Sequence, residues 1–493
     1  MFTVKDILTA VKGKLLSGYP DEILTGLSTD TRKIKKGELF LAIKGEKFDG
    51  HSFILDAVAK GAGGVLVQEG GITNANFKLP DVSFISVSDS IKALGDIGNF
   101  HRSRFSIPVI GITGSNGKTT TKEMVSAILS KKFNVLKNFG TENNNIGVPL
   151  TLMRLTSEHG IAVLEMGANH LGEIKRLSEI ARPTIAIITN VGPSHLEYLE
   201  DLDTVFKAKA EILKHMDQSA KLILNADDEY LRKMEPTRAK ARGSCGRNTE
   251  RPEHIRGIKA AVLGRECIKT SLKVTWFGFD KEADFYADKI NLEPDGISFR
   301  LNGKWDISLG VLGRHNIYNA LAAIACAWEF GISIEDIKDA LKEFKVPNMR
   351  MEVKRFGDIK IINDTYNANP QSMKQAIEAL RDMVTDGRKI LIAGDMLELG
   401  TFSGRFHHLV GKQAAESGFD LIVAVGKLAE YISAGAQEAG MSERKIKLCA
   451  ATKEAREKVA TLIKKGDTIL VKGSRAMRME EIVGDLEAQF KTT

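Results

Sequence analysis

From Ile107 onward the chain alternates short, uninterrupted apolar runs with longer stretches of helical period. "PVIGIT", "IAVLEMG", "TIAIITNV" and "KLILNAD" each end in a polar or glycine-rich turn. Runs of that length without alternation belong to strands buried on both faces, and helical crossovers between them predict a parallel sheet. Between about Thr270 and Leu312 the helical signal stops. There "SLKVTWFGF" and "GISFRLNGKWDISLG" alternate apolar with polar positions, which predicts an antiparallel addition. "GRHNIYNALAAIACAWEFG" then reads as a helix. "IKIIND", "KILIAGDM", "LIVAVG" and "DTILVKGS" resume the strand–helix alternation as a second parallel sheet. Ahead of all this, "GAGGVLV" and "FISVSD" predict short strands around the helix "SFILDAVAKG".

The fold class that follows is α/β in three domains. A small α/β unit spans 1–106, and a central mononucleotide-binding parallel sheet with an added antiparallel segment spans 107–312. A Rossmann-like unit spans 313–493. The length of 493 residues agrees, being too great for one core. A hydrophobic fraction of 43% with 27% charged residues suits an ordinary soluble protein. No apolar run reaches membrane-spanning length, and the charged start "MFTVKDILTAVKGKLL" lacks the apolar core of a signal peptide, so a cytoplasmic location is expected. The formal charge of +7 is small and dispersed, which fits anionic small substrates better than nucleic acid. Cys245, Cys267, Cys326 and Cys449 are scattered without a C-x-x-C pair, so neither a disulfide framework nor a zinc site is expected. No long amphipathic seam demands a partner, and a monomer is the expectation.

Candidate chemistry begins at "GITGSNGKTTTKEM". A strand, a glycine turn and a helix in that order make a phosphate cradle, residues Thr113 to Thr120. Gly114 and Gly117 let backbone N–H groups approach phosphate oxygens through Ser115 and Asn116. Lys118 supplies a point charge, and Thr119 can put its hydroxyl on Mg²⁺. Ile112 stands where the strict G-x-x-x-x-G-K-[ST] pattern has its first glycine. Glu165, after the run "IAVL", falls at a strand end and as a hard oxygen ligand suits magnesium; a solvated strand-end glutamate is the bland alternative. His195 in "TNVGPSHLEYLE" also follows a strand, though a lone histidine is more often structural.

"TGSNGKTT", "LEMGANHLGEI", "NVGPSHLEYLEDLDTVFKAKAEIL", "GRHNIYNALAA", "NDTYNANPQSM" and "VKGSRAMRMEEIV" occur in this order, and the set resembles the Mur ligases, ATP-dependent amide-forming enzymes of peptidoglycan precursor synthesis. The resemblance covers nearly the whole chain. It implies that Thr113 to Thr120 hold the ATP phosphates and that Thr119 and Glu165 bind one Mg²⁺. It further implies that His195 binds a second Mg²⁺ together with a carbamylated Lys209. Read without the family, Lys209 in "KAKAEIL" is a solvated helix lysine, and Lys207 is the alternative if the register slips. Asn319 would contact the adenine, with Arg350 on phosphate and Asp364 on ribose; a surface ion pair and a helix cap are their ordinary readings.

The first domain is similar to the family's uridine-diphosphate sugar module, with Thr31, Arg32, Lys44, Asp49 and His51 at the matching positions. Asn143 and Asn144 match its substrate-contacting asparagines, while Thr141 departs from the usual asparagine. "NDTYNANPQSM" and "AGDMLELG", without a "DNPR"-type motif, resemble the dipeptide-adding branch. Tyr366, Asn367, Asn369, Asp395, Lys472, Ser474 and Arg475 would then surround a D-alanyl-D-alanine pocket. The activity implied is attack of the carboxylate of UDP-N-acetylmuramoyl-tripeptide on ATP, then displacement of phosphate by the dipeptide amine. A sister ligase adding another amino acid, including the folylpolyglutamate type, and a nucleotide-operated switch protein are the competing readings.

Overall fold

In the computed structural model the described residues are 1–45, 48–71, 82–140, 142–234, 272–293 and 296–491. Thr141, Cys245 and Cys267 lie outside them. Cys326 and Cys449 are buried free thiols. Among the described residues no helix is long and apolar enough to cross a membrane.

The first sheet has five strands in the order Lys14–Ser17, Ser83–Val87, Gly64–Gln68, Leu39–Leu41, Leu27–Ser28. The helix Ser90–Ser103, started by Asp89 accepting from the Lys92 N–H, covers it. That helix also lies against Gly147–Leu152 and Glu173–Ala181 of the next unit. Sugar-module candidates and phosphate loop therefore belong to units in direct contact.

The central sheet has nine strands. Val109–Thr113 is fully buried and runs parallel to Ile161–Glu165 on one side and Ile185–Ile188 on the other. The next strand in sequence, Val135–Lys137, lies beyond Ile161–Glu165. The chain thus leaves Val109–Thr113 towards one edge and later returns to its other side. The carboxyl end of that strand is the switch point where open α/β sheets bind ligands. The phosphate loop sits there.

Two details of the sequence reading are corrected. Lys273–Gly278 runs parallel to its neighbour Lys221–Asn225, and antiparallel pairing begins only with Phe285–Glu293 against Gly296–Leu301. Alternation reports one exposed face; it does not encode the direction of the partner. The helix His315–Trp328, read as the head of the third unit, packs in the central core with Met124 and Ile128 of the phosphate-loop helix and with Phe299 and Ile307. Its residues are apolar nearly all round, so it needs packing on more than one face, and the antiparallel strands and the phosphate-loop helix supply it.

The third sheet has six strands in the order Glu352–Phe356, Ile359–Asp364, Thr468–Lys472, Lys389–Gly394, Leu421–Val425, Ile446–Cys449, parallel apart from the first. Separate apolar clusters cover its two faces. The carboxyl ends of its strands deliver Asp364, Asp395 and Lys472.

Candidate active site between two parallel sheets

The loop after Val109–Thr113 turns through Gly114 (φ 141°) and Gly117 (φ 79°). A Cβ on Gly117 would collide with the Asn319 amide oxygen, and one on Gly114 with the Thr189 hydroxyl. Both positions need glycine for conformation and for space. Neighbouring groups hold the loop in shape: the Ser115 N–H donates to the Asn190 carbonyl (3.0 Å) and the Asn116 N–H to Asn190 Oδ1 (2.9 Å). The helix Lys118–Leu129 starts from Gly117 without a side-chain cap. Its first N–H groups and positive dipole end face the loop, as an anion site requires. Lys118 Nζ donates to the carbonyls of Gly114 (2.8 Å) and Ser115 (3.2 Å). Desolvation lowers its pKa; Glu165 opposes that shift and Arg350 adds to it.

Glu165 pairs in register with Ile112 and is buried beside the loop. Its carboxylate accepts from Thr119 Oγ1 (2.8 Å) and Asn143 Nδ2 (2.8 Å). Two hard oxygen donors side by side at a phosphate loop fit a magnesium ion, which keeps several waters and takes phosphate oxygens for the rest. Among the described residues no three His, Cys, Asp or Glu side chains assemble as a metal cage, so any ion here relies on such non-protein oxygens. Lys209 is 1% exposed, against its reading as a solvated lysine. Burial, then repulsion from Lys118, pushes its pKa down to about 7, with Glu173 and Glu211 opposing. Lys207, two residues earlier, is less buried. His195 adopts a left-handed backbone (φ 53°), and its Nδ1 lies 2.6 Å from Glu398 Oε2. Burial, Lys118 and Lys209 lower its pKa, and Glu398 resists.

The third unit reaches this loop directly. Asn116 Nδ2 donates to Gln371 Oε1 (2.8 Å), and Asn369 Nδ2 donates to Asn116 Oδ1 (2.8 Å). On one side of the asparagine lies a 150 Å³ cavity lined by Gly117, Asn225, His315, Tyr318, Asn319 and Phe277, among others. Thr121 Oγ1 and Asn316 Oδ1 fix the Asn319 amide there, at 3.1 and 2.8 Å. On the other side a 290 Å³ cleft runs between His195 with Ser194 and the loops carrying Asn367, Asn369, Glu398 and Arg475. Ser194 Oγ bonds Ser115 Oγ at 3.1 Å, so this cleft opens one side chain from the phosphate loop. The Arg350 guanidinium stacks 3.8 Å over the Tyr366 ring. Asp364 forms a buried pair with Lys472 (2.6 Å) and accepts from the Met351 N–H (3.1 Å). Lys472 also donates to the Asn367 carbonyl.

Other expected residues are engaged elsewhere. Both Asp395 oxygens accept backbone N–H groups, from Lys427 (2.9 Å) and Leu428 (3.1 Å), which makes it a loop tie. Ser474 lines the cleft beside Arg475, and its Oγ accepts from the Leu397 N–H (2.8 Å). Asn144 Oδ1 accepts from the N–H groups of Ile146 (3.1 Å) and Gly147 (2.9 Å) in the turn ahead of Gly147–Leu152. In the first unit, Thr31 bonds Asp56, and Arg32, its side chain 84% exposed, forks onto Asp30. Lys44 bridges Asp49 through the backbone. His51 Nε2 accepts from the Gln68 N–H (3.0 Å), so its proton sits on Nδ1, facing Asp49 at 2.6 Å. Among the described residues none of these five side chains bonds to the phosphate loop. Reasoning from sequence missed Gln371, Asn190 and Glu398. Gln371 and Glu398 meet their partners across 255 and 203 positions.

Three family models match most of the chain. The Mur ligase middle domain matches residues 112–256 and 258–327. The model described as Mur ligase, glutamate ligase domain matches 349–475, and that of the Mur ligase family, catalytic domain, matches 23–102. The chain belongs to the Mur ligase family and is a ligase. Among its relatives, UDP-N-acetylmuramoyl-tripeptide--D-alanyl-D-alanine ligase of Bacillus subtilis is 35% identical over 98% of both chains, and that of Escherichia coli is 36% identical with the same coverage. The crystal structure of MurF from Acinetobacter baumannii superposes with a TM-score of 0.84 at 32% identity, covering 99% of each chain. MurF from Thermotoga maritima in complex with ADP gives 0.78 at 26%, covering 95% of this chain and 98% of that one.

Proposed function

We propose that this protein joins D-alanyl-D-alanine to UDP-N-acetylmuramoyl-tripeptide at the expense of ATP, in the cytoplasm, as a step of peptidoglycan precursor synthesis. The observation that carries the reading is the uncapped helix start at Gly117 with Lys118 beside it, next to one cavity lined by Asn116 and a second cleft lined by Asn369, which bonds Asn116. One cavity suits the nucleoside and the other the amine acceptor. The labour divides as a sugar-binding unit over 1–106, the phosphate site of the central sheet, and a third unit that brings the acceptor.

A carboxylate is inert towards amines because oxide is a poor leaving group. Transfer of the γ-phosphoryl group to the substrate carboxylate forms a new O–P bond and releases ADP. The dipeptide amine then attacks the acyl carbon, the C–O bond to phosphate breaks, and the amine proton is lost. The residues act by position and charge. Loop N–H groups and Lys118 hold phosphate oxygens, Arg350 supports them from the third unit, and Asn319 orients the base. Thr119 and Glu165 would hold Mg²⁺, with His195 and Lys209 the candidates for a second ion; an ion bound there would neutralise charge on the transferred group. A Lys209 amine with a pKa near 7 is neutral often enough to add CO₂, which turns it into an oxygen ligand.

Purified protein given ATP, Mg²⁺ and the UDP-muramoyl-tripeptide is expected to release phosphate only when D-alanyl-D-alanine is added. A panel of lysine, diaminopimelate, glutamate and the dipeptide identifies the acceptor. Equal release without any amine, or with another amine in preference, overturns the assignment.

A further inference from the structure

The cleft lined by Asn369, which bonds Asn116, contains a carboxylate that the sequence reading gave no role. Among its described lining residues Glu398 is the one carboxylate, and Arg475 and His195 are the basic groups. We propose that Glu398 is the counter-charge for the ammonium of the incoming amine acceptor, so that this cleft selects a zwitterion by its positive end. The inference rests on the reading that the cleft takes D-alanyl-D-alanine.

Three observations support it. First, the carboxylate already engages a ring nitrogen: His195 Nδ1 is 2.6 Å away. Yet the Glu398 side chain is 41% exposed, so a second donor can approach. Second, the chain is built to present it. Glu398 has φ +61°, a conformation that a non-glycine residue keeps only when its surroundings impose it. Here the Leu397 N–H donates to Ser474 Oγ, and the Glu398 carbonyl accepts from the Glu197 N–H (3.1 Å). The loop is therefore pinned to both sheets and the side chain points between them. Third, the location is right for the chemistry. Two other lining residues, Ser194 and Asn369, bond Ser115 and Asn116 of the phosphate loop, so an amine against Glu398 sits beside the loop where the activated acyl group forms. A dipeptide carries its ammonium and carboxylate at opposite ends, and Arg475 on the same cleft suits the carboxylate.

The test compares D-alanyl-D-alanine with D-lactyl-D-alanine, which replaces the ammonium by a neutral hydroxyl. The wild-type protein is first assayed for turnover of the dipeptide; failure there rejects the functional assignment and not the role of Glu398. In the active enzyme, E398Q is expected to raise the KM for the dipeptide by about tenfold or more, the size of a lost charge-assisted contact. The inhibition constant of the hydroxyl analogue and the KM for ATP are expected to stay within about twofold. E398D is expected to recover part of the preference for the amine. If E398Q weakens dipeptide and analogue equally, or lowers kcat alone, Glu398 only positions His195 and the proposal fails.

Discussion

The central and third units present the same kind of edge to each other, the carboxyl ends of parallel strands, but they finish their helices differently. The phosphate-loop helix starts at Gly117 with no side chain on its free N–H groups. Across the interface, Pro370–Asp382 starts from Asn369 with a reciprocal cap through Ser372. The N–H groups ahead of Ala429–Glu438 are taken by Asp395. The charges follow the same division. On the central edge Lys118 and Lys209 are cations whose pKa values are depressed; on the other edge Lys472 is matched by Asp364. At this seam the phosphate-loop helix start is left open for an anion, and the Asn369 start and the Asp395 loop facing it are filled so that they hold a shape. The contrast teaches that an open helix start is meaningful when its neighbours are closed.

The largest effect expected from breaking this contrast is at Lys118. K118A removes the cation that faces the phosphates, and kcat should fall by ~10³-fold or more with little change in melting temperature. Retained turnover would remove the loop from the mechanism. Next comes Asp395, where D395A strands two backbone N–H groups and should cost about 1–3 kcal/mol of stability, read by urea denaturation. A raised dipeptide KM with unchanged stability would instead restore Asp395 to the acceptor pocket.

A pH-dependent effect concerns Lys209. Unfolded, this lysine titrates near the ordinary 10.5; folded, burial brings it down to about 7. Between those values the unfolded chain binds the extra proton, so stability rises with pH across that window; below pH 7 the full cost of burying the charge remains. K209M lacks that cost, so in bicarbonate-free buffer its melting temperature should exceed that of the wild type most at pH 6.5. The gap should narrow towards pH 9. Bicarbonate should also narrow it if the amine is carbamylated; a gap independent of both would show that Lys209 is not held as a buried amine.

Much of this was legible beforehand. The phosphate loop announces itself because its chemistry needs glycine, lysine and threonine at fixed local spacing, and Glu165 follows from a strand end. Lys209 could be named only through the family, because "KAKAEIL" offers Lys207 and Lys209 in the same local context and burial depends on what packs above the helix. The loop contacts of Asp395 were hidden for a related reason: an aspartate after a strand can face a ligand or a neighbouring loop, and Lys427 and Leu428 are more than thirty positions away. Glu398 went unnoticed because its partner lies on another unit. The helix His315–Trp328 was assigned to the wrong side because a boundary depends on where an apolar helix finds its cover, which periodicity does not report.

Asn116 has its amide oxygen and amide nitrogen both held by the third unit, through Asn369 and Gln371, while its main chain belongs to the phosphate cradle. The cradle is thereby tied by one side chain to the third unit. A small molecule wedged at this seam could silence turnover without imitating nucleotide, sugar or peptide, and its signature would be inhibition that excess ATP does not relieve.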